Sequence, residues 1–325
     1  MSWWRWARAL AWLLVPSWIW GTRADVLLAG HPAYAVLVTL AAVAGLVLVV
    51  TQVRGRQTSR RYAAPPDVAQ PSRRGRRALR TVGRAIGVVA TIGALVGLVL
   101  LRPYAATAPA VTLTSAGSDS VSVVSTPTSI TLTPKVAAYT SRVGLVFQPG
   151  ALVDPRAYVP LLARVAADGH LVVIVKQPLS FGLLALGAPD GPIAEHPEVT
   201  RWAVGGHSLG GVAASMYAAS HADRGSGLVL WASYPASSLA DRTGLAVASI
   251  SGTADGLARP ATIDARRGDL PPSTVFTPVA GAVHAYFGDY GEQAGDGIPT
   301  VSREQAQTAI VDATLALLAR ASPLG

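Results

Sequence analysis

The chain has 325 residues, enough for one large domain or two modest ones, and no cysteine, which excludes disulfides, a catalytic thiol and thiolate metal sites. Half of it is hydrophobic and only 14% is charged, too apolar for an ordinary soluble enzyme. The net charge of +9 is lopsided: residues 1–108 carry +12 and residues 109–325 carry −3, so no folded basic face for nucleic acid is indicated.

Residues 1–20 hold WWRWAR and a 12-residue uncharged run (9–20) broken by Pro16, with tryptophans at 3, 4, 6, 12, 18 and 20. Tryptophan favours the headgroup level of a bilayer, so this segment reads as a short first crossing or an interfacial helix. No small-residue cleavage site follows it, which argues against a signal peptide. Residues 33–50 and 85–101 are runs of 18 and 17 positions without a charge, each about the length a helix needs to cross the hydrocarbon core. The expectation is two or three transmembrane helices over 1–108. Between the two clear runs, the loop 51–84 carries ten arginines and stays in the cytoplasm, which sends the rest of the chain to the far side of the membrane. Its Pro-rich stretch, 63–72, reads as unstructured. Gly83, Gly87, Gly93 and Gly97 form two small-xxx-small pairs, the pattern that lets two such helices approach closely and pair as a homodimer. No acidic or basic residue lies inside 33–50 or 85–101, so these helices offer no path for ion or solute transport.

Residues 105–130 are small, polar and β-branched, and read as a linker entering strands near 120–125 and 129–133. A regular alternation follows. Strands are expected at 143–148, 171–176, 202–206, 228–231, 245–251 and 274–280, and helices at 155–168, from 209 to about 221, and at 303–320. Strands alternating with helices of this length give an α/β domain over 109–325: a mostly parallel sheet with helices on both faces.

Gly206-His207-Ser208-Leu209-Gly210-Gly211 falls between the strand WAVGG and the helix that begins near 209. As a bare string Gly-x-Ser-x-Gly is weak, but a strand-to-helix turn is the setting of a nucleophile elbow, in which Gly206 and Gly210 let the backbone pass closely. Serine needs a base to take its proton, and in such sites the partners follow in the order Ser, acid, His. Asp255 comes just past a strand end, whereas Asp241 and Asp264 lie in a polar loop or helix. His284 follows the last strand by a short loop. His170 sits at the wrong edge of a parallel sheet. His196 lies in a Pro-rich loop and His221 at a helix end, and His207 is expected to point away from the site. The oxyanion hole requires two backbone N–H groups, for which Leu209 and Ala151 are the candidates.

The series FQPGALVDPRAYVPLLARVAADGHLVVIVKQP, WAVGGHSLGG, LVLWASYPA, SISGTADG and VHAYFGDYGEQAGDG resembles a branch of the α/β-hydrolase superfamily that is often described as similar to dienelactone hydrolases. The resemblance spans roughly residues 143–320. It implies the α/β-hydrolase fold, the Ser208–Asp255–His284 triad and the Ala151/Leu209 hole, and it names no substrate. Val283 departs from the pattern, standing where a polar residue such as Asn belongs. No metal or organic cofactor is implied. Only 13 residues, 232–244, separate the strands before the acid, far short of the roughly 40 a separate small core needs, so no cap domain is expected.

These features lead to a membrane-anchored serine hydrolase that acts on an ester or related acyl bond, outside the membrane, on a small-molecule or envelope substrate. An acyltransferase with the same triad, or a non-catalytic binding domain on the same fold, are the alternatives. The ten-arginine loop makes topology testable: an alkaline phosphatase fused after Arg320 should be active and one fused near Gln70 silent. The reverse pattern would place the hydrolase domain in the cytoplasm.

Overall fold

The structure, a computed structural model of the chain, describes residues 3–61, 73–135, 142–221 and 225–321. Contacts divide the chain into two compact units, Met1–Leu27 with Ala33–Arg102, and Leu28–Pro32 with Pro103–Gly325.

The first unit is helical: α1 (Trp3–Ala29), α2 (Pro32–Arg61) and α3 (Arg73–Leu100). The stretches Pro32–Arg54 and Thr81–Leu100 are long and apolar enough to cross a membrane. α1 contains Pro16, and Arg23 leaves helical angles (φ −141°, ψ 20°), so two helical pieces meet there at a kink. α2 and α3 run beyond the apolar runs into the arginine-rich sequence on either side, because arginine is a good helix former. The Pro-rich 63–72 stretch lies outside the described residues.

The second unit is built on one eight-stranded sheet of order β1-β2-β4-β3-β5-β6-β7-β8. Its strands are β1 (Val121–Ser125), β2 (Ser129–Pro134), β3 (Gly144–Gln148), β4 (Val172–Val175), β5 (Trp202–His207), β6 (Gly225–Trp231), β7 (Ala246–Gly252) and β8 (Val275–Val279). β1 and β2 pair antiparallel, β2 is antiparallel to β4, and the remaining pairs are parallel. The helices of this unit are α4 (Ala108–Ala116), α5 (Val159–Ala167), α6 (Asp190–Glu195), α7 (Leu209–Ser220), α8 (Pro260–Asp264) and α9 (Arg303–Ala321).

The central strands are apolar almost without interruption because both faces are covered. Side chains alternate along each strand, so Leu145 and Phe147, Val172 and Ile174, and Val229 and Trp231 enter one core with α5 and α9. Val146, Val173, Val204, Leu228 and Leu230 enter the other, against Ala214 and Tyr217 of α7. Full burial of each such side chain contributes about 1.5–3 kcal/mol.

Two expectations need correction. The linker expected over 105–130 contains α4, which starts after Thr107 with a proline in its first turn and ends at Gly117 with φ 66°; Ala110 is fully buried. Small residues gave no apolar stripe, yet they suit a helix that packs closely. The helix expected over 155–168 is two pieces, a 3₁₀ turn at Pro155–Tyr158, whose Arg156 N–H donates to the Asp154 side chain, and then α5. Over 232–245 neither helix nor strand forms.

Beside β4, Lys176 is buried, and its ammonium donates to Ser125 Oγ at 2.9 Å and to the Thr126 carbonyl at 2.5 Å. Burial pushes this lysine down from the ordinary 10.5 to about 8, Arg156 pushing the same way and Asp154 against it. Between about pH 8 and 10.5 the unfolded chain therefore holds a proton that the folded chain has released, so this group makes stability rise with pH across that window. Urea midpoints of wild type and Lys176→Met should diverge accordingly, wild type gaining on the variant from pH 8 to pH 10. A constant difference would show that Lys176 does not titrate there.

Candidate active site

The site lies at the carboxyl edge of the sheet, where β3, β5, β6 and β7 end. Ser208 sits between β5 and α7 with φ 52° and ψ −124°, a left-handed backbone that serine adopts only when its surroundings enforce it. Its N–H donates to the Trp231 carbonyl at 2.9 Å, and its carbonyl accepts from Ser233 Oγ at 2.7 Å and from the Gly211 N–H at 3.0 Å. Gly206 and Gly210 make the turn possible. A Cβ on Gly206 would strike Gly210 and the Gln148 carbonyl, and one on Gly210 would strike the Gln148 and Pro149 carbonyls.

Asp255 and His284 come from the loops after β7 and β8 and form a buried pair, His284 Nδ1 to Asp255 Oδ2 at 2.8 Å, with side chains 2% and 0% exposed. The other Asp255 oxygen accepts the Leu257 and Ala258 N–H groups at 2.8 and 2.7 Å. A carboxylate oxygen accepts, so Nδ1 of His284 donates in this bond and Nε2 is the ring nitrogen left for another partner. Asp241 and Asp264 play no part here; Asp264 pairs with Arg267 at 2.8 Å. Val283, the departure from the family pattern, is buried, and the His284–Asp255 bond forms beside it.

Ser208, Leu209 and His284 line one cavity of about 300 Å³, completed by Val212, Ala232, Ser233, Tyr234, Leu257, Ala258 and Gln293. Leu209 is the first residue of α7, so its N–H has no acceptor within the helix. Ala151 is not among the residues lining this cavity. It lies in the half-buried turn after β3, beside Leu152 with φ 56°, whose N–H donates to the Ser180 carbonyl at 3.0 Å. β3 and β5 are in register at Gln148 and Gly206, so that turn starts level with the elbow.

Two features were missed in the sequence. His207, expected to point away, faces His284 with ring centroids 4.4 Å apart and stacks on Phe287 at 5.7 Å and 7°. Side-chain alternation along β5 decides this: two positions on from Gly205 and four from Ala203, His207 projects to the α9 face. Burial holds its imidazole well below the ordinary histidine value, and His284 pushes it the same way, so His207 is neutral. The second is Asp296. Its Oδ1 accepts from the N–H groups of His284 (3.0 Å), Gly256 (3.2 Å) and Gly297 (2.7 Å), and its Oδ2 from Ala285 (2.8 Å). One carboxylate thereby joins the acid loop to the histidine loop. Nothing in the string GDG names the distant amides.

Removing this acceptor strands four N–H groups. Asp296→Ala should lower unfolding free energy by about 2–4 kcal/mol, and ester turnover with it. Asp296→Asn, which keeps one oxygen, should lose less. Urea unfolding and turnover measured together check this, and full activity in the alanine variant would remove Asp296 from the account.

Among solved structures, the chain is similar to carboxyl esterase 2 from the mycorrhizal fungus Tuber melanosporum, at 13% identity and a TM-score of 0.46 over 64% of this chain and 88% of that one. It is also similar to a CIB-like hydrolase from Thermoplasma acidophilum, at 14% identity and a TM-score of 0.44 over 60% and 97%. No curated protein matches it. Residues 144–308, from β3 into α9, match the alpha/beta hydrolase family. That match spans half of the sequence and includes the elbow, Asp255 and His284: the chain belongs to the alpha/beta hydrolase family.

Proposed function

We propose that this protein is a membrane-anchored serine hydrolase that cleaves an uncharged carboxylic ester through an acyl-enzyme on Ser208. The observation that carries the reading is the buried His284–Asp255 hydrogen bond of 2.8 Å, with His284 and the strained Ser208 facing one cavity. A structural histidine has no need of a buried carboxylate and a serine forced into left-handed geometry at the same place.

In this reading His284 Nε2 takes the Ser208 proton as Oγ attacks the ester carbonyl, and Asp255 holds the imidazole and stabilises its charged form. The Leu209 N–H, with Ala151 as the second donor, binds the oxyanion. Collapse releases the alcohol with the proton from His284, and water repeats the sequence to free the acid. Besides His284 the lining residues carry no charge, and apolar Leu209, Val212, Ala232, Leu257 and Ala258 dominate it. A carboxylate-bearing substrate would be desolvated there without a cation to pair with. The branch resemblance to dienelactone hydrolases is thus read as one of fold and triad, with a neutral substrate. A cavity of about 300 Å³ holds a short acyl arm, and the leaving group extends outward. The apolar stretches of α2 and α3, with the arginine-rich sequence 54–84 joining them, support anchoring with the hydrolase domain outside.

The test is labelling of the full chain by a fluorophosphonate probe, followed by turnover of a graded ester panel. Ser208→Ala should abolish labelling and lower kcat by roughly 10⁴–10⁶-fold while leaving the fold intact. Short neutral esters should outpace half-esters of dicarboxylic acids of equal length by about tenfold or more, the cost of one unpaired buried charge being at least that large. Labelling that survives Ser208→Ala puts the nucleophile elsewhere.

A further inference from the structure

His207 occupies the last position of β5, one residue before the elbow, and is 1% exposed. Its Nδ1 lies 2.9 Å from the Tyr158 hydroxyl, which also receives the Gly150 N–H at 2.9 Å. The hydroxyl has one hydrogen. The Gly150 N–H is a donor, and among the described residues the acceptor that the hydroxyl hydrogen finds is His207 Nδ1, so the neutral ring carries its own proton on Nε2. That Nε2 is buried with no hydrogen-bond partner. The His284 backbone acts on the ring more weakly than burial does and falls outside hydrogen-bond geometry.

An unpaired buried N–H is a net cost, whereas a phenylalanine here would strand the buried Tyr158 hydroxyl, so what a histidine supplies at 207 is an acceptor for Tyr158. The ring contacts His284 on one side, at 4.4 Å between centroids, and on the other is tied through Tyr158 to Gly150, the residue before Ala151. Tyr158 is itself fixed, fully buried and tilted against Phe147 at 5.2 Å. We infer that Tyr158 and His207 are positioning residues: the hydrogen-bond chain from Gly150 through Tyr158 to His207 sets the turn after β3 and the His284 imidazole at a fixed separation. The inference rests on the reading of Ser208 and His284 as nucleophile and base. It adds that the oxyanion side and the base side of the site are mechanically one piece.

The test uses the full chain in detergent with Tyr158→Phe, His207→Phe, the double variant and His207→Asn, whose amide oxygen can take the Tyr158 hydrogen. Two readouts are taken: kcat and KM on a short neutral ester, and hydrogen exchange of the amides at 150–152. Tyr158→Phe and His207→Phe should each lower kcat about tenfold or more with KM unchanged, since small displacements of reacting groups act on the chemical step. Both should speed exchange at 150–152. The double variant should be no worse than either single one, and His207→Asn should recover most of kcat and the slow exchange. Wild-type kcat and exchange in His207→Phe would overturn the inference, as would multiplicative losses in the double variant. Exchange reports on the chain of bonds without turnover, so a protein in which Ser208 proves unreactive still decides it: unchanged exchange in Tyr158→Phe rejects the positioning role by itself.

Discussion

The backbone of Ser208 has to be held at φ 52°, an angle that costs an L-residue of this kind of order 1–3 kcal/mol. Much of the surrounding structure serves that requirement. β6 supplies the Trp231 carbonyl, the Ser233 hydroxyl grips the carbonyl of the turn, and the end of β3 closes on the two glycines. Those contacts exist only because β3, β5 and β6 lie side by side in parallel register. The order of the sheet and the exposure of one hydroxyl are thus a single constraint.

Legibility of the chain followed the range of the forces involved. Strands β3 to β7 could be read because both cores are apolar and the runs are bounded by turn residues, and the elbow could be read because its glycines and serine are neighbours in sequence. Asp255 and His284 could be read from their places after strand ends, although 29 residues separate them. α4 could not, since its alanines and threonines carry no periodic contrast. Asp296 and the Tyr158–His207 pair escaped for a different reason. Their partners lie 12, 40 and 49 residues away, and a carboxylate or hydroxyl aimed at backbone amides leaves no mark on the partner's sequence.

Electrostatics in the hydrolase unit are economical. Asp154 is fully buried and satisfied by the guanidinium of Arg156, two residues on. Asp255 and Asp296 are satisfied mainly by amides and one imidazole. Each of these carboxylates is engaged from within its own neighbourhood, so none of them needs a cation from the cavity, and the cavity is left to Ser208 and neutral side chains.

The far edge of the sheet has one more consequence. β8 is paired only with β7, and its fourth residue is Pro278, which offers no backbone N–H. A strand from another copy approaching that edge would meet a missing donor partway along the ladder, beside a ring that crowds its path. Sheet extension past β8 is therefore hindered, and the hydrolase unit is guarded on this side against the edge-to-edge stacking that leads sheets into fibres.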